Sequence, residues 1–204
     1  MDHFDNMPET ALAWAKAGKP VAMATVIETW GSAPRPIGSQ LVMTEPAEMM
    51  GSVSGGCVEG AVITEGLDAL EDGACRILEY GVSDDEAFAV GLACGGTIRV
   101  LVEPVGVGQG PSLEMLEALV AARAARTPLA YEVNLTTWER RLVSPSETTF
   151  DGFLTDKSGC DGDLFYGIHN PPLRLVVVGA VHIAQPLVTM ARLAGYDPVL
   201  VDPR

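Results

Sequence analysis

The sequence predicts an α/β protein: a mixed-sheet N-terminal domain over residues 1–170, with a β-rich connector, followed over residues 171–204 by the first strand–helix–strand of a second, incomplete domain. Three observations predict it. Helical and strand-like hydrophobic periods alternate along the chain. Asn170-Pro171-Pro172 is a stiff break of the kind found at domain boundaries. After that break an apolar strand, a helical stretch and a second apolar strand follow in the order that builds a parallel sheet.

The elements follow in order. Residues 8–17 read as a helix, with Pro8 and Glu9 suited to its first turn, Leu12 and Ala15 on one face, and Gly18 as its stop. Val21–Ile27 is apolar on both faces, as in a buried central strand. Gln40–Thr44 and a short stretch near Met49–Val53 read as further strands. A helical pattern follows at once to about Glu71, with Val58, Ala61, Val62, Leu67 and Leu70 at steps of three and four. Arg76–Tyr80 and the alternating Thr97–Glu103 are strands, and the acidic stretch 81–92 between them is loop-like. Ser112 caps a helix running to about Arg126. Short apolar stretches over 129–168, divided by turns such as Asp151-Gly152 and Asp161-Gly162, read as antiparallel strands.

Composition narrows the function. The 204 residues are 48% apolar, enough for a core, and carry a formal charge of −14. That charge argues against a nucleic-acid partner and against anionic membrane surfaces, both of which need clustered Lys and Arg. No apolar run is long enough to span a bilayer, and the acidic start lacks the layout of a signal peptide, so the expected location is the cytoplasm. The four cysteines (57, 75, 94 and 160) include no C-x-x-C pair, and there are only three histidines. A structural zinc site and a disulfide framework are therefore not expected. Cys75 reads as a core residue and Cys160 as a turn residue.

Two stretches carry candidate chemistry. In Gly51-Ser52-Val53-Ser54-Gly55-Gly56-Cys57-Val58-Glu59 the glycines deliver the chain to a helix N-terminus. Free amides and the helix dipole there favour anions, and a thiol in the first turn becomes more reactive. The plainer reading is a tight turn with a buried cysteine. A near mirror image, Ala93-Cys94-Gly95-Gly96-Thr97, precedes a strand instead. Arg35 lies between Pro34 and Pro36, which stiffen its loop; it is either a clamp for a phosphate or carboxylate, or a surface arginine in a turn. Glu59 is either a favourable first-turn acid or a hydrogen-bond acceptor for a ligand.

The closing segment is a Rossmann-type strand–helix–strand, with Gly179 opening the turn and Asp202 where a ribose-binding acid would lie. Val181 takes the place of the second glycine of the dinucleotide fingerprint. NAD(P) is therefore the secondary cofactor expectation. One strand–helix–strand leaves sheet edges open, to be covered by further strands from a longer chain or by a second copy.

Gly31-Ser32-Ala33-Pro34-Arg35, Gly51–Glu59, Ala93-Cys94-Gly95-Gly96 running into Val102-Glu103-Pro104, Val178–Ala184 and Val201–Arg204 together resemble the XdhC/CoxI family. The resemblance covers most of the chain in the family's order. It implies an accessory protein for molybdenum hydroxylases such as xanthine dehydrogenase or aerobic carbon monoxide dehydrogenase. Such a protein binds molybdenum cofactor (molybdopterin), protects it while a cysteine desulfurase supplies its terminal sulfur, and delivers it to the apo-enzyme. It also implies a homodimer and a chaperone without turnover of its own. The cofactor-binding residues it implies are Arg35, Gly55, Gly56, Cys57, Glu59, Cys94, Gly95, Gly96, Gly179, His182 and Asp202, with Cys57 as the metal ligand. No catalytic residue is implied. The alternatives are an NAD(P)-dependent oxidoreductase using the closing segment, and a persulfide sulfurtransferase using Cys57. His182 more simply caps or packs its own turn.

Overall fold

The computed structural model describes residues 6–31, 33–46, 48–82 and 96–204. The described chain divides into two compact units, one ending at Asn170 and the other running from Pro171 to Arg204.

The larger unit is built on a five-stranded sheet. Its strands are β1 (Val21–Gly31), β2 (Gln40–Thr44), β3 (Glu48–Gly51), β4 (Arg76–Val82) and β5 (Gly96–Pro104), in the order β3-β2-β1-β5-β4. The central position of β1 follows from its apolar run, whose first seven residues are all buried. Every pairing in this sheet is antiparallel, not mixed as the sequence suggested. The β1–β2 and β2–β3 connections are too short for the crossover that a parallel pair needs. Helix α2 (Glu59–Asp72) instead carries the chain across one face, from the β3 edge to the β4 edge.

One face of the sheet packs on α2 through Ala24, Val26, Met43, Val62, Ala69 and Val100. The opposite face packs partly on α1 (Met7–Lys16) and α3 (Leu113–Ala124), through Met7, Leu12, Met23 and Leu116. α3 is capped as expected, the Ser112 side chain accepting from the Met115 amide at 3.2 Å. The rest of that face meets a second antiparallel sheet of β6 (Leu129–Asn134), β7 (Arg140–Val143), β8 (Gly159–Asp161) and β9 (Leu164–His169), in the order β7-β6-β9-β8. Ile27, Leu101, Val133 and Phe165 fill the space between the sheets. A single-turn helix, α4 (Gly152–Thr155), lies in the β7–β8 connection.

Two details of packing matter later. The β1–β5 register slips by one residue between Val26, opposite Val100, and Glu28, opposite Arg99. Ile27 is the extra residue of a β-bulge. Beyond it Thr29 stands opposite Ile98, on the α2 side, so alternation puts Trp30 on the other face, where it is 80% exposed. Second, Gly66 of α2 lies directly over Met43, and a Cβ there would come within 2.1 Å of the Met43 sulfur. Gly66→Ala is expected to lower stability by about 1–2 kcal/mol, because overpacking outweighs the better helix propensity of alanine. A denaturant titration that showed a midpoint at or above wild type would contradict this.

The smaller unit pairs β10 (Arg174–Val178) with β11 (Asp197–Val201) in parallel, joined by α5 (Ala184–Leu193). The helix buries Ala184 and Ala191 and leaves Leu187, Met190 and Leu193 exposed; Val176 and Val178 are exposed on the strand. No helix among the described residues is long and apolar enough to cross a membrane.

Candidate functional site

The registers bring three loops to one end of the five-stranded sheet. β1 ends there at Gly31, opposite Gly96 at the start of β5, and Val82 at the end of β4 also stands opposite Gly96. β2 begins there at Gln40, opposite Thr25, and β3 ends there at Gly51, opposite Leu41. The Arg35 loop, the Gly-Gly-Cys loop and the β4–β5 connection therefore all leave from this end. Cys94 and Gly95 lie outside the described residues. Gly96 opens β5 at the site's edge.

The first two loops touch. A Cβ at Gly55 would lie 3.7 Å from Pro34 Cβ, and Ala33 packs on the same apolar cluster as Val53 and Val58. Gly55 and Gly56 have φ of +79° and +114°, so two consecutive residues occupy backbone regions that side chains resist.

The Gly-Gly-Cys loop is held from within. Glu59 is the first residue of α2 and is 9% exposed. Its Oε1 accepts from Ser52 Oγ at 2.6 Å, from the Val53 amide at 3.2 Å and from the Ser54 amide at 2.9 Å. Its Oε2 accepts from Ser54 Oγ and from the Gly56 amide at 2.8 Å. Ser54 Oγ in turn accepts from the Cys57 and Val58 amides, at 2.9 and 3.0 Å, and Ser52 Oγ accepts from the Gly55 amide at 2.8 Å. All six amides from Val53 to Val58 thus end on the side chains of Ser52, Ser54 and Glu59. Burial alone would raise the Glu59 carboxyl; the hydrogen bonds from Ser52 and Ser54 outweigh it and bring the pKa down to about 2.

This differs from the sequence expectation in two ways. The amides of 55–58 are not open to a ligand. The helix begins at Glu59 with Val58 as its N-cap, so Cys57 lies one residue before the cap and not in the first turn. The physical reason is that the serine hydroxyls and the glutamate offer the glycine-rich backbone a better set of partners than another helical turn would. Ser52 and Ser54 were not singled out from the sequence. The available signal was two hydroxyl residues and an acid flanking a Gly-Gly pair.

The thiol and the arginine differ in exposure. Cys57 is exposed and unpaired. Arg35 is half-buried, and its Nε is buried with no acceptor among the described residues. A guanidinium N–H in that condition suits an anionic group, and the exposed thiol beside its loop suits a soft metal centre. The residues present therefore fit an anionic, metal-bearing ligand. No group of three or more His, Cys, Asp and Glu suited to a metal ion occurs among the described residues.

The other thiols have different surroundings. Cys75 is buried, as expected, and burial together with the Glu103 charge pushes it up to about 12. Cys160 is exposed at the edge strand β8, and its Sγ contacts the Ile27 carbonyl at 3.5 Å. A buried polar network between the sheets has no counterpart among the sequence expectations. Arg140 binds Glu103 at 3.1 Å and Tyr131 Oη at 2.9 Å, and Tyr131 donates to Glu103 at 2.7 Å.

In the smaller unit Gly179 has φ +105°, and its amide donates to the Val201 carbonyl at 2.8 Å. Asp202 accepts from the Ala180 amide at 3.1 Å and from Arg204 Nη2 at 2.8 Å. The Arg204 bonds, with that amide, hold its pKa down to about 2. Val181 and His182 are exposed in the turn before α5. Gly179 and His182 thus lie in the β10–α5 turn, and Asp202, just beyond β11, is bonded to that turn through the Ala180 amide.

Comparison with known proteins identifies related chains. Residues 14–81 match the model of the XdhC and CoxI family. The chain is 30% identical over 186 residues to the molybdenum cofactor insertion chaperone PaoD of Escherichia coli K12, covering 91% of this chain and 54% of that protein. It is 24% identical over 194 residues to a probable xanthine dehydrogenase component of Bacillus subtilis, covering 88% and 58%. A crystal structure from Bacillus halodurans, described as a xanthine dehydrogenase, superposes with a TM-score of 0.76 at 25% identity, covering all of this chain and 63% of that one. The chain thus spans a little over half the length of these two curated relatives.

Proposed function

Since the chain belongs to the XdhC and CoxI family, we propose that it is an accessory protein that binds molybdenum cofactor, assists its sulfuration and delivers it to a molybdenum hydroxylase. The observation that carries this reading is the meeting of the Arg35 and Cys57 loops at one end of the sheet, with the Arg35 Nε–H buried and without an acceptor among the described residues. Molybdopterin carries a phosphate and a metal–dithiolene centre. Arg35 would hold the phosphate through charge-assisted hydrogen bonds, and Cys57 would lie at the metal or its sulfur. Gly55 and Gly56 shape the surface between them. Cys94, Gly95 and Gly96 belong, in this reading, to the cofactor-binding residues. Glu59 acts from inside the loop. The apo-hydroxylase and a cysteine desulfurase are the partners, and the protein acts as a homodimer without turnover of its own.

We read residues 171–204 as the opening of a Rossmann-like domain and residues 1–170 as the cofactor-binding domain. The parallel β10–α5–β11 unit, with Gly179 at its turn and Asp202 bonded to the Ala180 amide, supports the first part of that reading.

The test is molybdenum cofactor binding by the purified protein and its variants. Arg35→Ala is expected to weaken binding about 10- to 100-fold, the worth of one charged hydrogen bond. Cys57→Ser is expected to weaken it as well, with the protein still folded. Wild-type affinity in both variants would remove the site from these loops. Persulfide transfer that survives Cys57→Ser would exclude a sulfur-carrying role for this thiol.

A further inference from the structure

The Gly-Gly-Cys loop has the form of an anion site: small residues, two consecutive glycines of positive φ, and a run of amides at the start of a helix. Yet the amides of Val53, Ser54 and Gly56 already converge on the two oxygens of one buried carboxylate. The remaining amides of the loop end on the serine hydroxyls, and both of those hydroxyls donate to the same carboxylate. Glu59 occupies the place that an oxyanion would take.

We propose that Glu59 is a built-in anion that fills this loop and sets its specificity: the loop takes up no free oxyanion such as phosphate, sulfate or molybdate, and a cofactor meets it through the Cys57 thiol and the Arg35 guanidinium. This rests on the reading of the loop as part of the cofactor site. A carboxylate covalently tied to the helix outcompetes a dissolved anion, because its local concentration is fixed and its ordering is already complete. A loop of open amides would collect whatever small oxyanions the solution holds. With the amides closed, an anion alone finds no partner here beyond Arg35 among the described residues, whereas a ligand with both an anionic and a thiol-seeking group finds two. Glu59 is thus a positioning and specificity residue that lies behind the surface the ligand meets.

The experiment is a titration with inorganic phosphate followed by amide chemical shifts of residues 53–58. Wild type is expected to show no saturable shift of these amides at millimolar phosphate. Glu59→Ala is expected to gain one, with affinity at least about tenfold above wild type. Glu59→Gln, which keeps the side-chain volume and one acceptor oxygen, provides the same comparison if the alanine variant does not fold. Saturable phosphate binding at the wild-type amides overturns the proposal, and so do folded Glu59 variants that gain none. Both results leave the cofactor reading intact. That reading fails separately, if Arg35→Ala and Cys57→Ser bind molybdenum cofactor as wild type does.

Discussion

Glu59→Ala is expected to cost about 3–5 kcal/mol of folding stability, the range for breaking a buried charged network on one side. The substitution removes the acceptor for three amides and two hydroxyls at once. The same residue imposes an acid limit. Its carboxyl falls from an ordinary 4.5 to about 2 on folding. The folded state then binds fewer protons than the unfolded chain between those values. The stabilisation is complete above about pH 4.5 and is lost as pH falls through about 2. Each tenfold change in proton affinity is worth about 1.4 kcal/mol, so the contribution is at most about 3 kcal/mol, less whatever solvent screens. His169 adds acid sensitivity of its own. Burial, with the neighbouring Arg123 charge, lowers it from 6.5 to about 3, so its contribution begins to be lost below about pH 6.5. The two are separated by comparing wild type with Glu59→Gln. Their stability difference should shrink between about pH 5 and pH 3 in chemical denaturation, as the unfolded wild-type chain takes up a proton that the folded carboxylate refuses. A difference that stays constant across that range would show that Glu59 is not the titrating group.

Arg140→Ala carries the second large effect, about 3–5 kcal/mol of destabilisation. Glu103 is 3% exposed, and burial raises its carboxyl against the pull of Arg140 and Tyr131. Without Arg140 that carboxylate keeps, among the described residues, only the Tyr131 hydroxyl, and the Gln109 carbonyl loses its guanidinium donor. Because Glu103 lies on β5, Tyr131 on β6 and Arg140 on β7, the loss falls on the seam between the two sheets. Arg140→Leu combined with Glu103→Leu should recover most of the stability, since removing both charges leaves neither stranded. Equal losses in the single and double variants would show that packing of the arginine stem, not the charge pair, matters. Cys75 gives a parallel readout. It lies 3.6 Å from Arg140 Nη2, and with its pKa at about 12 it should resist thiol reagents in wild type and become reactive as the seam loosens.

Much of this architecture is legible in the sequence, because it rests on local chemistry. The apolar run at Val21–Ile27 announces a strand that is covered on both faces, and Ser112 announces the start of a helix. The short strands of 129–168 announce themselves by the turns between them. The site is legible as two motifs but not as one place. Pro34 meets Gly55 only through the registers of β1, β2 and β3, and no local signal encodes a register across three strands. Glu59 is ambiguous for a different reason: an acid at the start of a helix has the same sequence signature whether it faces solvent or turns back into the preceding loop. Arg140 and Glu103 are 37 residues apart, and their pairing follows from the packing of two sheets.

The extra residue in β1 works like a change of phase partway along a wave. Before Ile27 the strand's even-numbered residues, Ala22, Ala24 and Val26, lie on the side of α2; after it the odd-numbered ones do, starting with Thr29. Deleting one residue at this point would restore the original phase and swing the Trp30 indole to the side where the Gly-Gly-Cys loop enters its helix. One inserted residue thus decides which wall of the site end carries a large aromatic ring. A shift in alignment by a single position, harmless in most loops, would here exchange the two sides of the site.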